Sequence, residues 1–123
     1  MKADIRFRED INDLVRAFYA NAEKDELLKL YFGDMTIAYK EQFIKSLTDF
    51  WENLILFTGD YNGNPMEMHT RLHSRQPLSI MHFQRWNQLF QEVVDDLFEG
   101  NNAEIIKQKA YSISAVIQMK IFK

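Results

Sequence analysis

The chain has no cysteine. That absence removes disulfides, thiolate nucleophiles, iron–sulfur clusters and cysteine-based zinc sites together, and it suits a reducing compartment. Proline and glycine are scarce, at two and four residues, so few positions can break a helix. No uninterrupted apolar run approaches the roughly 18 residues that a membrane span needs. The opening segment, MKADIRFREDIND, is charged and has no apolar stretch, which predicts a chain without a secretory signal and a cytoplasmic location. Positive charge is not in excess either. Fifteen Lys and Arg stand against 18 Asp and Glu, a formal net charge of −3. The basic residues are scattered, so a nucleic-acid partner has no support. GxSxG, GxGxxG, a Walker loop and HExxH are all missing, which leaves nucleophilic hydrolysis, nucleotide binding and zinc-protease chemistry without a basis.

What is present is an ordinary globular balance, 46% hydrophobic and 27% charged, in 123 residues, and this length predicts a single domain over 1–123. The aromatic share is less ordinary: ten Phe, five Tyr and two Trp, 14% of the chain. So much ring surface either lines a cavity for a large flat ligand or fills a compact core, and composition allows both.

The apolar spacing is helical throughout, and no run alternates long enough to make a strand. Ile11, Leu14, Val15 and Phe18 share one face, with Asp10 as the predicted N-cap. Leu27, Leu28, Tyr31 and Phe32 form a shorter amphipathic piece closed by Gly33. From Thr36 to Thr58, the residues Phe43, Leu47, Phe50, Trp51 and Leu54 line one face, with Gly59 supplying a left-handed C-terminal cap. Ser79 opens a long helix with Phe83, Trp86, Phe90, Val93, Val94 and Leu97 inside, ended by Gly100. Asn101 and Glu104 resemble a capping box for a last helix that buries Ile105, Ile106, Ala110, Ile113, Val116 and Ile117. The pattern predicts an all-α chain of four substantial helices and two short ones. Its one long irregular stretch, Gly59 to Pro77, carries His69 and His73, and a loop of that length in a small domain points to function.

His69 and His73 stand four apart, on one face if Met66 to Ser74 makes a helical turn. The pair reads either as two partly exposed histidines or as part of a metal site in a helical bundle that lacks a third ligand at a defined spacing. His82, near a predicted helix start, reads as a surface residue. Phe18, Tyr19, Phe32, Phe43, Phe50, Trp51 and Trp86 converge if the helices pack around one cavity. Most of them are core residues by default. Tyr19 and Trp86 differ, because each carries a polar hydrogen that needs a partner when buried and can reach a polarised ligand.

The string FTGDYNGNPMEMHTRLH, followed by HFQRWNQLFQEVVDDLF, resembles the third group of truncated haemoglobins, found chiefly in bacteria. DLVRAFY near the start and LTDFWENLIL in the middle match the same family in the same order. Together they cover the chain from about Ile11 to the final helix, and YxGxP…H followed by FxxW is the most specific part. The resemblance implies a truncated globin fold, a two-on-two helical sandwich holding a haem b. On that mapping His69 is the proximal iron ligand, with Gly63 and Pro65 leading into its short helix. Tyr19 takes the distal tyrosine position and Trp86 the pocket tryptophan. Phe32 and Leu47 wall the distal side. Arg71 and His73 are candidates for the haem propionates.

One departure stands out. Where many members carry a distal histidine this chain has Phe43, or Gln42 if the register shifts by one, so no second iron ligand comes from that helix. A neutral imidazole at His69 can donate its lone pair to iron and leave the sixth position open. Tyr19 and Trp86 would then hydrogen-bond a polarised ligand, and Phe32, Phe43 and Leu47 would exclude water. The implied function is binding of oxygen or a related diatomic ligand, with nitric-oxide or peroxide chemistry and redox sensing as further uses and a reductase as a candidate partner. The alternative, from a different class, is a globin-like helical domain without haem that serves as an interaction or regulatory module.

Overall fold

The structure, a computed structural model, describes residues 2–29, 36–57 and 79–122. Within them run four α-helices: α1 (Arg8–Ala22), α2 (Ile37–Trp51), α3 (Ile80–Leu97) and α4 (Asn101–Ile121). No strand occurs among the described residues, and no helix there is long and apolar enough to cross a membrane. Packing follows the apolar stripes. Helix α1 contacts both α2 and α3, and α3 contacts α4, so the pair α1–α2 lies on the pair α3–α4 in the two-on-two arrangement.

In α1 the periodic residues Ile11, Leu14, Val15 and Phe18 are buried, joined by Tyr19 and Ala22. The helix begins earlier than the pattern indicates, with Phe7 as N-cap. Asp10 is therefore not the cap but the third helical residue, and its carboxylate accepts from the backbone N–H of Arg6 (2.9 Å) and Phe7 (3.0 Å). A carboxylate inside the first turn satisfies amides that the helix leaves open and meets the positive end of its dipole.

Thr36 caps α2, its hydroxyl accepting from the Tyr39 N–H. The predicted continuation to Thr58 is not a plain α-helix. After Trp51 the chain widens into a π-helical turn, Glu52–Leu56, and Phe57 takes the left-handed conformation (φ 60°). Phe57 thus takes a left-handed cap at the end of this turn, and Gly59 lies outside the described residues. Arg8 clamps the junction from α1, donating to Asp49 (2.6 Å) and Glu52 (2.8 Å).

Ser79 is the N-cap of α3, and in place of an acidic partner His82 Nδ1 accepts from the Ser79 backbone N–H at 2.9 Å, the role of a half-exposed histidine at a helix start. Phe83, Phe90, Val93 and Val94 are buried as the spacing indicates. Leu97 is not: it is 39% exposed, because the helix ends there and the extended Phe98 packs against the core in its place.

Gly100 ends no helix; it is the N-cap of α4, at φ 145°. Nor do Asn101 and Glu104 form the capping box. Glu104 pairs with Lys107 (2.8 Å), while the open amides of Asn102 and Ala103 donate to the two carboxylate oxygens of Asp4, both at 2.9 Å. The cap comes from the other end of the chain, which is why no local pattern announces it. A Cβ on Gly100 would lie 2.5 Å from Asp4 Cγ, so glycine is required here by space as well as by dihedral. Further along, Ala103, Ile106, Ala110, Ser114 and Ile117 are buried, whereas Val116 is 45% exposed. At about 100° per residue Val116 falls off the stripe that Ile117 occupies, and polar Ser114 holds the inward place.

Candidate functional site

The aromatic residues converge where α1, α2 and α3 meet. Phe18 is the hub: its ring stands edge-on to Tyr19 (4.9 Å), Trp86 (5.4 Å) and Phe90 (5.5 Å). Trp86 stacks on Phe90 nearly parallel, 5.5 Å apart and 4° from coplanar, and Trp51 stacks on the same Phe90 at 5.8 Å. These offset and edge-to-face contacts are the arrangements that ring quadrupoles favour. They also lock the rotamers around the two polar aromatic groups.

Tyr19 is 4% exposed. Burial pushes its phenol well above the ordinary tyrosine range, and a hydrogen bond with the Trp86 side chain pulls the other way without reversing the shift. An indole N–H can only donate, so in that pairing the Tyr19 oxygen would be the acceptor and the phenol would keep its own proton to donate. Tyr19 is therefore a neutral donor across the whole working pH range. Against its ring, on the α2 side, packs Phe43 at 5.2 Å, edge to face. Phe43 is buried and Gln42 exposed, so α2 presents the phenylalanine rather than the amide to Tyr19.

A small cavity of about 30 Å³ adjoins this cluster, lined by Val15, Phe18, Tyr19, Leu47, Phe50, Trp51, Trp86, Phe90, Ile113 and Ile117. Of the predicted site residues, Tyr19, Trp86 and Leu47 line it together and Phe43 abuts Tyr19. Phe32, His69, Arg71 and His73 lie outside the described residues. Phe90 and the α4 pair Ile113 and Ile117 belong to the same surround and were not singled out from sequence. Phe90 follows Trp86 by four residues on one helical face, and that spacing is the signal for it. For the α4 residues the helical spacing predicts burial, but no local signal assigns them to this surround. Among the described residues no group of three or more His, Asp or Glu could hold a metal ion.

An apolar aromatic box with two buried donors, set between two crossed helix pairs, defines a class: a shortened globin. No family model matches the chain. It is similar along its whole length to a group 3 truncated haemoglobin of Campylobacter jejuni, 30% identical over 127 residues and covering 97% of that protein. The crystal structure of a group III truncated haemoglobin from Campylobacter jejuni superposes with a TM-score of 0.86 at 27% identity, covering all of this chain and 97% of that one. The chain belongs to the group 3 truncated haemoglobins.

Proposed function

We propose that the protein binds a haem b, which His69 would hold, and that the bound haem would take up oxygen or a related diatomic ligand. The observation that carries this reading is the Tyr19–Trp86 pair: two polar hydrogens in an otherwise apolar aromatic box, in a chain of this family. Such a donor set suits a flat apolar macrocycle whose bound ligand develops negative charge. When bound, the haem supplies an iron centre that accepts a diatomic ligand. His69 would hold it as a neutral imidazole. Tyr19 donates toward the ligand position, with Trp86 holding the phenol oxygen. Phe43, Leu47 and Phe32 keep water away, which slows loss of the ferrous state. Arg71 and His73 take the propionates. The setting is the bacterial cytoplasm, with a reductase as redox partner, and nitric-oxide or peroxide chemistry is open to the same pocket.

Adding haemin to the purified protein, then reducing it and exposing it to carbon monoxide, tests this directly. A Soret band corresponding to one haem per chain is expected, shifting on reduction and again with the gas. His69→Ala should lose iron ligation, whereas His73→Ala and His82→Ala should keep it. Haemin that binds without saturating, or the same spectrum from His69→Ala, would overturn the assignment and favour the haem-free module.

A further inference from the structure

The outermost ring of the aromatic cluster is Tyr39, which the proposed pocket does not use. It stands in the first turn of α2, its N–H donating to the Thr36 hydroxyl. Its ring stacks on Phe43, one turn further on, at 6.4 Å and 27°. Phe43 in turn meets Tyr19 edge to face at 5.2 Å, and Tyr19 is hydrogen-bonded with Trp86. Contact is therefore continuous from the molecular surface to the indole. Ion pairs hold the start of α2 against α1: Arg16 donates to both carboxylate oxygens of Glu41 (3.0 and 2.8 Å), and Lys40 pairs with Glu23. The phenols at the two ends of this path differ in what they can do with a proton. Tyr19 is buried and holds its proton well beyond the ordinary tyrosine range, so it does not settle as a neutral radical. Tyr39 is 41% exposed, so water can take its proton when the ring loses an electron. Tyr111 is more exposed, at 61%, but makes no ring contact among the described residues, which separates exposure from connection.

We propose that Tyr39 is the surface terminal of a one-electron relay, Tyr39–Phe43–Tyr19–Trp86, through which a soluble reductant supplies electrons to the pocket. In each transfer an oxidised Trp86, which has lost one electron and kept its N–H proton, regains the electron from Tyr39. The Tyr39 phenol proton passes to water and leaves a neutral phenoxyl radical. A hydrogen-atom donor of the enediol or hydroquinone class then restores the phenol and is itself oxidised by one electron. Phe43 is too hard to oxidise to hold the charge and serves as the bridge. The oxidant that the relay serves is a peroxide, whose reduction to water takes two electrons and two protons: two turns of the relay supply the electrons, and solvent supplies the protons. That use rests on the haem reading. The relay itself does not.

Pulse radiolysis with the azide radical tests the relay without added haemin, because this oxidant takes an electron from tryptophan in preference to tyrosine and becomes azide. In the purified protein the indole radical signal should decay into a phenoxyl signal, in a first-order phase whose rate does not depend on protein concentration. Tyr39→Phe keeps the stack on Phe43 and removes the phenol, so that phase should be lost. Tyr111→Phe should retain it. Phe43→Leu, with Tyr39 intact, should slow it, and circular dichroism checks that each variant is folded. Persistence of the phase in Tyr39→Phe, or its loss in Tyr111→Phe, would overturn the proposal. With haemin bound, one equivalent of hydrogen peroxide in the presence of a nitroso spin trap should label Tyr39 ahead of the more exposed Tyr111 in a peptide map; the reverse order would overturn it too. A protein that shows the radiolysis phase but binds no haemin retains the relay and loses only the haem reading.

Discussion

At the scale of single residues, the Tyr19 phenol is the group whose environment is most telling. Its ring is held by Phe18 and Phe43, its oxygen is engaged by Trp86, and burial keeps it protonated. Tyr19→Phe deletes the donor and preserves the packing, so haem content should stay constant. A hydrogen bond to a charged acceptor is worth about 1.5–3 kcal/mol, so oxygen dissociation should accelerate by about 10-fold or more. Carbon monoxide develops far less charge and should respond much less; stopped-flow dissociation of the two gases measures the contrast. An equal response of both gases would reduce Tyr19 to a packing residue. Phe43 sets a second expectation. With a buried phenyl ring facing Tyr19 from α2, the isolated ferric protein should not show a bis-histidine low-spin spectrum. Tyr19, Trp86, Phe43 and Leu47 were legible in the sequence because each sits on a strongly periodic helical face. Which of Phe43 and Gln42 faces Tyr19 was left open by the resemblance, whose register can shift by one, and the packing of α2 puts Phe43 there.

At the scale of elements, the joint between the N-terminal segment and α4 shows how a helix end can depend on a distant residue. Burial alone would raise the Asp4 carboxyl, but hydrogen bonds from the Asn102, Ala103 and Ile5 amides outweigh it and hold the group below its ordinary value. The segment is also pinned by a Glu99 N–H bond to Ala3 O (3.0 Å) and an Asn102 Nδ2 bond to Ile5 O (2.8 Å), with Ile5 fully buried. Gly100→Ala places a Cβ into Asp4 at a φ that L-residues rarely adopt. It should cost about 1–3 kcal/mol, read from the urea midpoint. Asp4→Ala should cost about 1 kcal/mol through loss of the cap. A carboxyl with a depressed folded value contributes stability that is full above the ordinary carboxyl range and is lost as pH falls below it. The difference between wild type and Asp4→Ala should therefore shrink in acid, and a pH-independent difference would contradict the capping role.

Over the described residues as a whole, a cluster of rings from Phe18, Tyr19, Phe43, Trp51 and Phe90 sits inside an otherwise aliphatic core. Phe18, 1% exposed, touches rings from α1 and α3 at once, so Phe18→Ala should cost about 3–5 kcal/mol and loosen the pocket as well as the fold. Denaturant titration gives the first quantity, and haemin binding the second. Ion pairs tie the elements at the rim. Arg85 of α3 donates to Asp25 at 2.6 Å beyond the end of α1, and Arg8 reaches Asp49 on α2. Burial works to raise both carboxyls, but their basic partners keep them below the ordinary range, in Asp25 with help from the Leu27 and Leu28 amides. With Asp4 they make three groups whose contributions vanish together as pH drops through their depressed values, so loss of stability should be steepest below the ordinary carboxyl range.

The sequence by itself determined the helical class, the four long elements and the inward faces of α1, α2 and α3, because 3.6-residue periodicity is written within a few consecutive turns. The order of its aromatic and histidine-bearing segments likewise carried the resemblance to the family. Only the tertiary structure decided how the helices end and what shares the pocket. Asp4 caps Ala103 across 99 positions. Phe57, a residue no pattern marks for it, takes a left-handed turn after a π-turn that Arg8 braces from another helix. Ile113 and Ile117 join a cavity with Tyr19, although their spacing marks them only as inward and not as its neighbours. Caps and cavities are made by groups far apart in sequence, and their energies belong to the packed state, so they cannot be read from any local window.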